Sequence, residues 1–125
     1  MRLTVLAVDH DPELRNLYYA LLVERGHRVR VVSSGEEAVT QLDIDIDVVV
    51  VDLRSKQSKG RVVLDAVRAR APYHKVPVIV VDGEHEDATA GIESHATTLR
   101  KPFVFDRLVD AVESLAAKVK RTGQN

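Results

Sequence analysis

Four consecutive valines, Val48 to Val51, constrain this chain more than any other feature. Ile46 precedes them across Asp47, and Asp52 ends the run. A strand that is apolar on both faces must be covered on both faces. That points to a central strand of a parallel sheet, sandwiched between helices. The remainder of the chain alternates in the same way. Leu3 to Val8 is a second apolar run, closed by Asp9-His10. Asp11-Pro12 then reads as a helix cap with proline at the first helical position. Leu14, Leu17, Tyr18, Leu21 and Leu22 follow at helical spacing, and Gly26 stops that helix.

Arg28 to Val32 alternates basic and apolar residues, as a strand with one wet face would. Ser34 caps a helix to about Leu42, with Glu36 and Glu37 in its first turn, where the helix dipole favours acids. After a polar loop, Val62, Val63, Ala66, Val67 and Ala69 predict a third helix, stopped before Pro72. Pro77 to Val81 is a fourth strand, ending at Asp82-Gly83. His85 to Ser94 is a weak fourth helix, and Ala96 to Leu99 a poor fifth strand. Leu108, Val109, Val112, Leu115, Ala116 and Val119 share one face of a final helix, with the basic tail from Lys118 onward expected to fray. Five strands alternating with five helices predict one α/β domain over 1–125, an open parallel sheet with right-handed crossovers.

At 125 residues the chain is long enough to bury a core without staples. It has no cysteine, which excludes disulfides and thiolate metal sites and fits a cytoplasmic setting. No stretch approaches the ~20 apolar residues of a membrane span. The apolar start meets charge too soon for a signal peptide. A net charge of −1 offers no bulk attraction to nucleic acid or acidic lipid, and no helix-turn-helix pattern or basic stripe appears.

In such folds ligands bind at the carboxyl ends of the strands. Here those ends carry Asp9-His10, Asp52 and Asp82, and the fifth precedes Lys101. A parallel sheet would gather these groups into one acidic crevice. Each alone could be an ordinary strand-end polar residue. Together they are harder to dismiss, because clustered carboxylates repel and destabilise a fold unless something compensates.

These residues resemble the receiver domain of two-component response regulators, over almost the whole chain. An acidic position ends the first strand, here Asp9-His10 followed by Asp11-Pro12-Glu13-Leu14-Arg15. Asp52 ends the third strand with Gly60 eight residues later, and Lys101-Pro102 follows the fifth strand. The resemblance implies a flavodoxin-like (βα)5 fold with strand order 2-1-3-4-5. It implies that Asp52 accepts a phosphoryl group from a histidine kinase or phosphotransfer protein. Asp9, the residue at 10 and Asp52 would hold Mg²⁺, and Lys101 would contact the phosphoryl group. The domain would not be an enzyme in its own right. Its output would lie in a downstream protein or domain, and homodimerisation through the face of the fourth helix, fifth strand and fifth helix is usual in the family.

Three positions depart from that pattern. His10 replaces a carboxylate that normally binds Mg²⁺, and imidazole suits softer ions, so weak Mg²⁺ binding is expected. Asp11 is expected to cap the helix rather than substitute as a ligand. Asp82 stands where the family keeps a switch hydroxyl. One like-charge contact with a phosphorylated Asp52 at ~4 Å costs about 4 kcal/mol at an effective dielectric of ~20, before screening. Asp82 is therefore expected to pair with a protonated His10, or to join Asp9 and Asp52 around a metal. Thr98 takes the place of the switch aromatic and has no ring to swing. Arg54 and Glu84 are expected to rim the crevice as a surface ion pair, and Arg54, Lys56 and Lys59 make the loop after Asp52 basic.

Asp52 and Lys101 thus favour a phosphorylatable receiver. His10, Asp82 and Thr98 favour a pseudo-receiver, a protein-interaction module without a phosphorylation switch. A third reading is a haloacid-dehalogenase-like phosphatase using Asp9, because Asp9-His10-Asp11 after an apolar strand resembles its nucleophile motif. Such enzymes need a larger scaffold, and the Asp52–Gly60 spacing would go unexplained.

Overall fold

The computed structural model describes residues 1–43, 45–53, 57, 59–69, 76–81, 96–99 and 105–122, with backbone alone for 96–99, 105–106 and 119–122. In chain order the elements are β1 (Thr4–Val8), α1 (Pro12–Glu24), β2 (Arg28–Val32), α2 (Gly35–Gln41), β3 (Val48–Asp52), α3 (Gly60–Ala69), β4 (Val78–Val81), β5 (Ala96–Leu99) and α4 (Phe105–Thr122). All strand pairs are parallel and the order is β2-β1-β3-β4-β5. The flavodoxin-like order expected from the sequence is therefore the order found. The expected helix at 85–94 lies outside the described residues.

The valine run sits at the centre of the sheet, and every residue of β3 is buried. Its side chains divide between two apolar layers. Val48 and Val50 join Leu14, Tyr18 and Leu22 of α1 and Leu108, Val109 and Val112 of α4. Val49 and Val51 join Ala38 of α2 and Val63, Leu64 and Val67 of α3. That alternation is the period of two of a strand, and it explains why no polar residue interrupts the run.

Local signals end the helices where the sequence places them. The Asp11 carboxylate accepts a hydrogen bond from the Glu13 N–H at 2.9 Å, so Asp11 is the cap of α1. Gly26, at φ +94°, turns the chain into a left-handed conformation that a side chain would resist. Ser34 caps α2 by accepting from the Glu37 N–H. Two outcomes differ from the periodicity: Leu17 and Val62 fit the helical spacing but are 39% and 41% exposed. Helix α4 continues to Thr122, past the start of the basic tail, in a stretch rich in residue types that favour helix.

The amino edge of the sheet is stitched by side chains. Asp47, just before β3, accepts the Thr4 N–H on its carboxylate and donates its own N–H to the Thr4 carbonyl, both at 2.8 Å. His27, just before β2, is buried. Its Nδ1 accepts the Leu3 N–H at 3.0 Å, which assigns the ring proton to Nε2. Nε2 meets Glu113 of α4 at 2.7 Å, and Glu113 also pairs with Arg25 at 3.0 Å.

Candidate functional site

The opposite, carboxyl edge holds the acidic residues. β1 and β3 are in register with Val8 opposite Val51. The next residues, Asp9 and Asp52, therefore stand level on neighbouring strands, roughly 5 Å apart in the pairing direction. Val8 and Val51 both point into the α2–α3 layer. The pleat then turns Asp9 and Asp52 toward the α1 side. Both are fully buried.

The Asp9 carboxylate is held from two directions. Oδ1 accepts the Asp11 N–H at 2.9 Å, and Oδ2 accepts the Tyr18 hydroxyl at 2.7 Å. Arg15, one turn into α1, donates to the carbonyls of Asp9 and His10, both at 2.9 Å. The first two turns of α1 therefore fasten the strand end, through a guanidinium on the backbone and a phenol on the carboxylate. Neither Tyr18 nor Arg15 stood out as a site residue in the sequence. Tyr18 fitted the apolar spacing of α1 and so read as core. The signal was there, because a buried phenol needs a hydrogen-bond partner.

Asp52 is positioned by its neighbours on both sides. It pairs with Val81 of β4, and the following Leu53 N–H donates to the Val81 carbonyl at 3.1 Å. Gly60, the first residue of α3, packs against this strand end. A Cβ there would run into the Asp52 carbonyl oxygen and would come within 2.7 Å of both the Leu53 and Val51 side chains. The eight-residue spacing from Asp52 thus has a steric reason: the helix start must touch the backbone of the aspartate. Lys59 accommodates that approach at φ +51° and pairs with Glu36 on the surface at 3.2 Å. Its charge serves the α2 side rather than the acidic pocket.

His10 is exposed. Thr98 falls on β5 opposite Val80. Arg54, Lys56, Asp82, Glu84 and Lys101 lie outside the described residues, and with them the expected Arg54–Glu84 pair and the partners proposed for Asp82. Among the described residues, no group of three or more His, Cys, Asp or Glu could hold a metal ion. The two level carboxylates are nonetheless hard oxygen donors, and that chemistry fits Mg²⁺, whereas the imidazole at position 10 does not.

Residues 5–113 match the response regulator receiver domain family. The chain belongs to that family. The receiver domain is 33% identical over 114 residues to the transcriptional regulatory protein CpxR of Escherichia coli K12, covering 89% of this chain and 48% of CpxR. It therefore spans about half the length of that relative. The crystal structure of a response regulator receiver protein from Sinorhizobium medicae superposes with a TM-score of 0.79 at 30% identity, over 93% of this chain and 95% of that one. The chemotaxis protein CheY4 of Vibrio cholerae shares the fold, with a TM-score of 0.80 at 22% identity over 92% and 99% of the two chains. Receiver domains are signalling modules of two-component systems rather than classical enzymes. Among the described residues no helix is long and apolar enough to cross a membrane.

Proposed function

We propose that this receiver domain accepts a phosphoryl group on Asp52 from a histidine kinase or phosphotransfer protein, and that its switch is atypical. The observation that carries the proposal is the burial of Asp52 at the carboxyl end of the central strand, level with Asp9. In the transfer, a carboxylate oxygen of Asp52 attacks phosphorus in line with the departing donor nitrogen; the P–N bond breaks and an acyl phosphate forms. A divalent cation held by Asp9 and Asp52 would supply positive charge against the phosphoryl oxygens. Asp9, fixed by Tyr18 and the Asp11 N–H, orients that side of the pocket. Lys101 is assigned the cationic contact to the phosphoryl group. With His10 in place of a carboxylate, Mg²⁺ binding is weak.

Asp82 and Thr98 stand at the switch positions, so the response to phosphorylation differs from a hydroxyl-and-ring exchange. The output lies in a partner or another domain. The name of CpxR, a transcriptional regulatory protein of which this chain spans under half, supports that reading. DNA contact is not assigned to this chain. The second reading is a pseudo-receiver, and the exposed imidazole at position 10 is the observation that favours it. A phosphatase using Asp9 as nucleophile is disfavoured, because it leaves the packing of Gly60 against the Asp52 backbone without a purpose.

Incubation with acetyl phosphate and Mg²⁺, followed by intact mass measurement, tests the proposal. The native chain is expected to gain one phosphoryl group and the Asp52→Asn variant none. Absence of any gain in the native chain at saturating Mg²⁺ leaves the pseudo-receiver reading standing alone.

A further inference from the structure

The phenol of Tyr18 carries a polar group among the buried side chains of α1, whose other members are Leu14 and Leu22. Tyr18 is fully buried between Leu14 and Leu22 in the same apolar layer. Its hydroxyl donates to Oδ2 of Asp9 at 2.7 Å, a short, charge-assisted contact. Phenylalanine would fill the same space, so packing alone does not require the hydroxyl. A hydrogen bond to a carboxylate draws on the same oxygen electron density that a cation would use. It also holds the carboxylate in one rotamer.

We infer that Tyr18 is a positioning residue that competes with a divalent cation for the Asp9 carboxylate, and so lowers the cation affinity of the pocket. The inference rests on the reading of Asp9 as part of a cation-binding pocket. It adds a second cause of weak binding to the one at His10. His10 removes an oxygen donor, whereas Tyr18 engages one that remains. Two turns of one helix thereby control how strongly the strand end attracts charge: Arg15 holds the backbone and Tyr18 the side chain.

The test is a calorimetric titration of the native chain, Tyr18→Phe and Tyr18→Leu with Mg²⁺ alone. The Asp11 amide, which donates to the other oxygen of Asp9, is followed by NMR in parallel. Removing the hydroxyl is expected to tighten Mg²⁺ binding by about tenfold, on the order of one hydrogen bond to a charged group. The shift of the Asp11 amide should saturate at correspondingly lower Mg²⁺. A purely structural role predicts the reverse, because a loosened pocket binds less well. Equal or weaker binding in Tyr18→Phe overturns the inference while leaving the pocket in place. Tightening in only one of the two variants overturns it as well, since both lack the hydroxyl. Failure of all three chains to bind Mg²⁺ overturns the pocket and the inference together.

Discussion

The two edges of the sheet surround their polar groups with partners of different charge. At the amino edge, unlike groups are matched. His27 lies between the Leu3 amide and Glu113, Glu113 lies between His27 and Arg25, and Arg25 reaches Asp110 at 3.5 Å. At the carboxyl edge, two like-charged carboxylates are brought level on neighbouring strands and buried. Clustered buried carboxylates lower stability unless other groups offset them. The amino edge thus pairs acid with base across distant elements, whereas the carboxyl edge gathers acids and holds Asp9 with a neutral phenol and a backbone amide. The division follows the general placement of ligand sites at the carboxyl ends of parallel strands.

Three changes would break or sharpen that contrast. The largest expected effect is at the carboxyl edge. Gly60→Ala should destabilise the domain by about 2–3 kcal/mol, because its Cβ meets the Asp52 backbone and two packed side chains. Urea unfolding measures this, and a loss below about 0.5 kcal/mol, the usual range of surface substitutions, means that α3 can draw back from Asp52 freely. Next is the amino edge. His27→Ala removes the acceptor of the Leu3 N–H and the partner of Glu113, at a cost of about 2 kcal/mol. Since it touches only that edge, phosphoryl acceptance from acetyl phosphate at a temperature where the variant is folded should be unchanged. A parallel loss of acceptance would show that the edges are coupled.

The smallest effect concerns Arg30 and Asp43, at the amino side of β3. The Arg30 guanidinium hydrogen-bonded to Asp43, together with the Asp45 N–H, holds the Asp43 carboxyl below its ordinary value. A carboxyl depressed in the folded state adds stability above its unfolded value and loses it as pH falls through the folded one. The native chain should therefore exceed Arg30→Gln slightly in melting temperature at neutral pH, and the two should converge in acid. A constant difference across the titration contradicts this account.

Local chemistry made much of the fold readable in advance. The valine run, the Asp11-Pro12 cap and Gly26 act through residues close in sequence, and the structure places them as periodicity and capping require. The level placement of Asp9 and Asp52 was also readable, because parallel strands leave little freedom in where their ends fall. What escaped was the choice of distant partners. The docking angle of α1 decides that Tyr18 meets Asp9 while Leu17 faces outward, and no spacing rule contains that angle. The pairing of His27 with Glu113 joins residues 86 positions apart and depends on where α4 comes to rest. Gly60 was visible as a landmark, but its reason, contact with the Asp52 carbonyl, exists only in three dimensions.

The imidazole at position 27 also has a bearing on the order of folding. It ties the first strand to the last helix, so its two bonds cannot both exist until nearly the whole chain has been collected. Closing so long a loop is entropically expensive and belongs late on the path. Stopped-flow measurements on His27→Ala should accordingly find refolding almost as fast as in the native chain and unfolding clearly accelerated. The clasp then acts as a lock on the finished molecule, governing how long it persists rather than how quickly it assembles.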